Sequence, residues 1–499
     1  MKKTKFALIA LLSLNLFSVS AQNQIGVIKK PEWNSISSFD SRYGSKVNIG
    51  NSVSMIVNVP KADFAVVTID DKMSQKWLTP LTGFPMAIGR FKNQVLVIAA
   101  SDRSFFKSFT NIFKAYLLDE KTGKIISDKI IYQGSNDYVE APDFFFAKDG
   151  SYFKMATRLT AMKRKVHIGL PIVGALSALK MEKDYKATIN YTLIDFNDRL
   201  EQIQKITPVM PKGDSWNAYC GEDGSFMIST INQTEGRCNL ALYLTNNPEP
   251  LKIISIPVDF YKNPEVASMS FASSKTPLVN YFAFIYKNAS KDQSILVSKI
   301  DFKEGTFAVN KEVLSKEHIK ELQKSFVPMN KKFDELHFDN ISAMNISHLE
   351  EYNDKLLLTV SPDYTVMYNS TAISYSGSVL MNVYNQNVNL LYHQFVPRDY
   401  RSSTGEGSEV AFNLKENNLI ILANNKDGGN SVATIYSEMD LNTGKILKIN
   451  LIPKDNIKGS YYASTNGISW FKDSFSIPYL ERQGMFSKQI DVQLLQLSY

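Results

Sequence analysis

The chain has 499 residues but only two cysteines, Cys220 and Cys238, and five histidines. So few soft or imidazole ligands argue against a disulfide-stapled scaffold and against a zinc or iron centre. His167, His318, His337, His348 and His393 share no metal-ligand spacing, and the His-Glu-x-x-His pattern is absent. A phosphate-cradling loop and a dinucleotide fingerprint are also missing. "GEGSEV" at 405–410 lacks the glycines that flank the serine of a nucleophile elbow. No metal, cofactor or catalytic set is therefore expected. Past residue 21 no run reaches the ~20 apolar residues that span a bilayer, and "IGLPIVGALSAL" at 168–179 is too short. Positive charge is barely in excess, 56 Lys+Arg against 49 Asp+Glu, and forms no stripe. That excludes a dedicated nucleic-acid binder.

What is present begins with an address. Lys2, Lys3 and Lys5 precede the apolar "FALIALLSLNLF", and "SVSA" places Val19 and Ala21 where a signal peptidase accepts small residues. Residues 1–21 read as a signal peptide. No cysteine follows that could carry a lipid. The mature chain, 22–499, is expected to be exported: to a bacterial periplasm or in association with the outer membrane, with the exterior as the alternative. At 44% hydrophobic and 12% aromatic it can build a packed core.

Two kinds of corner then repeat. The first is an apolar approach, a charged turn and a second apolar run, as in "FFFAKDGSYFKMAT" (144–157) and "YCGEDGSFMIST" (219–230). It returns at 91–100, 350–360, 413–424 and 470–480, and more weakly at 268–286. Asn, Asp and Gly suit such turns because they tolerate positive φ or bond their own backbone. The residues around the turn alternate as those of half-buried strands do. The second kind is "AYLLDEKTGKIISDKII" (115–131), nearly repeated as "SEMDLNTGKILKINLI" (437–452), with relatives at 68–78, 193–203, 242–254, 299–309 and 382–395. Asp70, Asp119, Asp195, Asp301 and Asp440 are expected to open these turns by accepting backbone N–H groups.

The two corners alternate along the whole mature chain at intervals of about 50 residues, the size of a four-stranded unit. In this the sequence resembles the β-propeller superfamily. The likeness is one of pattern, without a Trp-Asp signature, a kelch double glycine or a complete Asp-box. It implies an all-β ring of four-stranded antiparallel blades. "QIDVQLLQL" (489–497) sits where a third strand belongs, and "IGVIKK" (25–30) can supply the missing fourth and close the ring. With 35–82 as a blade this makes eight. Seven, with 35–70 as an accessory hairpin, is the alternative. Pro478 is awkward for either, since it offers no ladder N–H. Cys220 and Cys238 fall on the first and third strands of one blade, roughly 9.5 Å apart at closest. That exceeds the ~7 Å a disulfide allows, so unpaired, buried thiols are expected.

Two insertions interrupt the rhythm: 161–184 inside one blade and 314–340 between two blades. In the resembling propellers both loop types open on one face. The first carries an apolar tip, Val166, Ile168, Leu170, Ile172, Val173, Leu176 and Leu179, flanked by Lys163, Arg164, Lys165, Lys180 and Lys183. This chemistry suits insertion into a partner protein or contact with an anionic membrane surface. A lid folded over the ring is the other reading. In the second, Ser315 is a candidate N-cap, and Ile319, Leu322 and Phe326 make the stripe of a short helix over about 315–326. A third loop, "VPRDYRSSTGEGSEV" (396–410), gathers Arg398, Asp399, Tyr400, Arg401, Glu406 and Glu409. It is the most polar candidate binding site; a solvated surface loop is its plainer reading. The function expected is non-enzymatic binding of a protein or envelope partner, such as a periplasmic subunit of an outer-membrane complex. The alternative is a polysaccharide- or peptide-acting hydrolase or lyase using Glu406, Glu409 and Asp399 at the ring's mouth.

Overall fold

A computed structural model of the chain describes residues 24–29, 46–59, 62–101, 112–134, 139–160, 189–244, 247–261, 266–328, 333–368, 371–402, 407–426, 432–452, 461–481 and 492–499. The signal peptide, the insertion tip 166–179 and Glu406 lie outside them. The described strands form eight antiparallel sheets. Blades 1 to 7 occupy 46–81, 84–133, 139–206, 214–257, 266–314, 344–396 and 410–451, each pairing its four main strands in chain order. Blade 8 takes its inner strands from 461–498. Its outermost strand is Gln24–Lys29, which pairs antiparallel with Val492–Ser498, Ile28 opposite Leu494. The last blade is thus completed by the first described strand, and the ring has eight blades.

Alternating side chains explain why the sheets stack. In Phe64–Asp70, Phe64 and Val66 pack with Val95, Val97 and Ala99 of blade 2. The intervening Ala65, Val67 and Ile69 pack with Leu480, Val492 and Leu494 of blade 8. One strand step further, Leu96, Ile98 and Ala100 join Phe153 and Met155 of blade 3. Successive residues on a strand face opposite sides of the sheet. An inner strand therefore contributes to two cores at once. Eight apolar clusters result, one for each blade-to-blade contact around the ring. At about 1.5–3 kcal/mol for each large apolar side chain fully buried, these contacts dominate the favourable side of folding.

The expectation of half-buried strands holds only at the rim. "QVLVIAA" (94–100) is buried nearly throughout because both its faces meet a neighbouring blade, whereas the outermost Thr306–Leu314 alternates, with Phe307, Val309 and Val313 exposed. Pro478 lies within Ser474–Glu481, and the ladder on its inner side is divided there. Tyr461–Ala463 and Ser469–Trp470 pair with the two ends of that strand, and a 3-10 turn, Thr465–Gly467, lies between them. A residue without an N–H is tolerated where its neighbour is interrupted.

Cys220 and Cys238 are free and buried. They lie on the first and third strands of blade 4 and also at opposite ends of it, since Cys220 pairs with Phe226 while Cys238 pairs with Ile231. Burial pushes both thiols up to about 12.

Candidate functional site

Because the main strands of every blade follow one another antiparallel, its connections sort onto two faces. Turns between first and second strands, and between third and fourth, share one face, here the turn face. Connections between second and third strands, and from blade to blade, share the other, the insertion face.

Both repeated corners belong to the turn face. Asp119 Oδ1 accepts from the N–H of Thr122 at 2.8 Å, Asp440 Oδ1 from Asn442 at 2.8 Å, Asp70 Oδ1 from Ser74 at 2.9 Å and Asp301 Oδ1 from Glu304 at 2.9 Å. The Thr122 hydroxyl and then its N–H hold the Asp119 carboxyl below the ordinary range, and the Asn442 N–H and then the Thr443 hydroxyl do the same for Asp440. Asp195 departs from the pattern. Asn197 opens that turn, accepting from Arg199 and Glu201, while Asp195 is buried in an ion pair with Lys154 at 3.0 Å. A lysine on the neighbouring strand, opposite in register, has recruited the carboxylate inward.

The turn face is tied across the ring. Lys148 of blade 3 reaches Glu350 of blade 6 at 2.8 Å and Glu222 of blade 4 at 3.7 Å. Tyr352 donates to the other Glu350 oxygen at 2.7 Å, and His348 approaches it at 3.4 Å. Burial opposes the Glu350 charge, yet these partners hold its carboxyl down to about 2. Beside it, Glu222, Asp223 and residues 273–280 line a cleft of about 220 Å³.

The insertion face is built differently. The second strand of blade 6, Lys355–Tyr368, runs past the sheet after Pro362. It returns as Thr371–Ser376, and Tyr400–Ser402 adds a third strand. Nothing in the corner spacing announces this hairpin. "SPDYTVMYNST" (361–371) continues in β-forming residues and meets no turn signal until Asn369, which was the available clue. Some of the extra length attributed to 314–340 belongs here. Gly377 lies at the hairpin's base, where an added Cβ would sit 2.2 Å from the His337 carbonyl oxygen.

One side of the hairpin aligns Tyr364 with Tyr375 and Val366 with Ile373. The two tyrosine rings stack at 5.2 Å with 7° between planes, and the Arg401 guanidinium lies 5.0 Å from the Tyr375 ring. Val366 is 43% and Met367 67% exposed.

The second insertion buttresses this structure. Helix α1, Lys316–Lys324, is capped by Ser315, whose hydroxyl accepts from the His318 N–H at 3.1 Å. Ile319 and Leu322 are buried with Phe338 between blades 5 and 6, and Phe326 packs against them. His337 and Ser378 exchange two hydrogen bonds, 2.8 and 2.9 Å, at the foot of the hairpin.

The third loop divides into two groups. Arg398 and Tyr400 are 1% exposed and belong to the interior. Arg398 Nε donates to the Asn424 carbonyl at 3.3 Å and its Nη2 to the Ser408 carbonyl, while Asn424 Nδ2 donates to Gly407 and Ala463. This knot joins blades 6, 7 and 8. Arg398 Nη1 and Asp363 Oδ1 are buried without a hydrogen-bond partner. Glu409 is half-buried close to both charges. Burial pushes its carboxyl above the ordinary range, against a backbone hydrogen bond and the Arg398 charge. Asp399 and Arg401 remain at the surface, 3.4 Å apart. Of the loop's predicted binding residues, then, two are structural, two sit beside the stacked tyrosines, and Glu409 faces the buried arginine. The strand ends that carry 161–184, Thr160 and Ile189, open on this same face.

Among the described residues no cluster of three or more metal-ligating side chains occurs, and no helix is long and apolar enough to cross a membrane. No protein-family model and no curated protein matches the sequence. Solved structures do align over almost the whole chain. BamB from Moraxella catarrhalis is 9% identical over 96% of this chain and 100% of its own, at a TM-score of 0.41. The WD40 domain of SCAP from fission yeast is 9% identical over 95% and 98%, at 0.42. A PL25 ulvan lyase is 8% identical over 94% and 95%, at 0.44. By its own eight sheets and eight inter-blade cores, the chain folds as an eight-bladed β-propeller.

Proposed function

We propose that this protein is an exported, non-enzymatic binding scaffold that holds a protein component of the bacterial envelope, as a periplasmic subunit of an outer-membrane complex, on its insertion face. The observation carrying this reading is the hairpin 363–376: a sheet extension outside the ring, presenting Tyr364, Val366, Ile373 and Tyr375 where the ring has no use for them. Aromatic and arginine side chains of this kind are common binding anchors. The apolar tip of 161–184, attached on the same side, supplies a second contact to the partner or to a membrane surface.

The test is affinity purification of the full-length protein from its native envelope, in parallel with a variant lacking 163–183 and a variant in which 363–376 is replaced by a tight turn. The first variant keeps the wild-type thermal midpoint, the second, which removes Asp363 beside Arg398, is assayed well below its own midpoint, and with each the recovery of the co-purifying partner falls at least tenfold. Undiminished recovery with both variants rejects the insertion face as the binding surface. N-terminal sequencing of the exported protein checks the cleavage after Ala21.

One observation favours a second reading. Glu409 is held above the ordinary carboxylate range, as a general acid requires. Activity on an envelope glycan that disappears in Glu409→Gln or Glu406→Gln would replace the scaffold with a hydrolase or lyase.

A further inference from the structure

The hairpin has an edge that no described strand covers. Up to Val360, the strand Lys355–Tyr368 is paired on both sides, with Met344–Tyr352 on one and Val379–Asn385 on the other, and the first of these pairings runs on to Pro362. Beyond Pro362 only the second side remains paired, by Thr371–Ser376. The open side continues the line of Met344–Tyr352, the first strand of its blade. The Asp363 carbonyl points that way, since it accepts from Asn345 Nδ2 at 3.4 Å. Backbone groups alternate in direction along a strand, so those of Thr365 and Met367 face the open side too.

Exposed edges are usually blunted by lysine, proline, a bulge or a covering element. The run "YTVMY" at 364–368 carries no charge and no proline, and among the described residues a 3-10 turn, Ile341–Ala343, rather than a strand, lies beside Lys355–Tyr368 on that side. Both Val366 and Met367 are exposed. Charges of both signs flank it: Arg401 lies over the Tyr375 ring on the paired side, while the segment leading into Met344–Tyr352 is acidic. Asp334, Glu335 and Asp339 are exposed on the segment that leads into Met344–Tyr352, and Asp339 is near enough to Tyr364 to add to the effect of burial in raising its hydroxyl.

We propose that this edge accepts an extended segment of a partner protein as an added antiparallel or parallel strand, one that alternates apolar residues with lysine or arginine. The added backbone satisfies the N–H and C=O groups of Thr365 and Met367. Apolar side chains on one side of the added strand continue the surface of Tyr364 and Val366. A basic side chain meets Asp339. Main-chain hydrogen bonds then supply affinity and the side chains supply selectivity. The inference rests on the insertion face being the binding face, and it narrows the partner to a strand-forming basic peptide.

The experiment uses the full-length protein and three short synthetic peptides: one alternating valine with threonine and lysine, a twin N-methylated at alternate amides, and a twin with glutamate for lysine. Fluorescence anisotropy should show the first binding, and each twin weaker by roughly tenfold or more. Amide exchange should slow at Thr365 and Met367 on binding. Thr365→Pro removes one outward N–H, and Met367→Lys adds a repelling charge; each should abolish binding without moving the thermal midpoint. Strand addition is rejected if the first peptide does not bind, if the N-methylated twin binds as well, or if protection arises elsewhere. Envelope-partner recovery with Thr365→Pro separates the two ideas. Retained recovery that is lost only when 363–376 is replaced keeps the face and discards the added strand. Recovery indifferent to both changes and to loss of 163–183 discards the face itself.

Discussion

The two faces of this ring are made of the same blades and follow opposite rules. On the turn face the described connections are short, and Asp, Asn and Gly decide their shape. Asp440 and Gly444 close one such turn, the first by side-chain acceptance and the second with φ +72. Polar contacts then reach between turns, as Lys148 does to Glu350. On the insertion face a strand overruns its sheet, a helix and a long loop enter between blades 5 and 6, and the link from blade 6 to blade 7 plunges into the core at Arg398. Connections on that face have acquired length, and binding surfaces tend to grow on such loops.

That contrast can be broken from either side. The largest effect is expected at Arg398. Arg398→Met strands the carbonyls of Asn424 and Ser408 and leaves Asp363 and Glu409 without their buried counter-charge. A loss of about 3 kcal/mol is expected by chemical denaturation. A loss under about 0.5 kcal/mol, the range of surface changes, would mean that the knot does not join the blades. A smaller cost, about 1–2 kcal/mol, is expected for Gly444→Ala on the turn face. There the added Cβ would sit 2.5 Å from the Tyr392 ring at a left-handed φ.

The pH dependence sharpens the comparison further. Glu350 is depressed to about 2 from an ordinary 4.5. Its contribution to stability is therefore complete above about pH 4.5 and is lost as pH falls toward 2. Lys148→Met should shrink that acid-side loss in a pH series of thermal midpoints while leaving the neutral-pH slope alone. An unchanged acid limb would show that the cross-ring contact contributes nothing.

Much of this architecture was legible in the sequence, and the failures have physical causes. Corner spacing, the closing strand at 25–30, the Ser315 cap and the stripe of α1 are local or periodic signals, and all appear in the fold. Asp195 was misread because nothing in its own turn announces that Lys154, on the adjacent strand, will pair with it. Arg398 and Tyr400 sit in a charged loop that reads as surface; only the meeting of blades 6, 7 and 8 makes their position interior. The hairpin 363–376 escaped notice because an unbroken run of β-forming residues does not say where a sheet ends.

The sequence by itself determined the repeating unit and the turn chemistry that closes most corners, since those depend on residues a few positions apart. Which face carries the stacked tyrosines, which carboxylate is buried and which strand edge stays open were decided by tertiary structure. Those properties depend on which blade lies next to which. Contacts between residues distant in sequence leave no periodic trace along the chain.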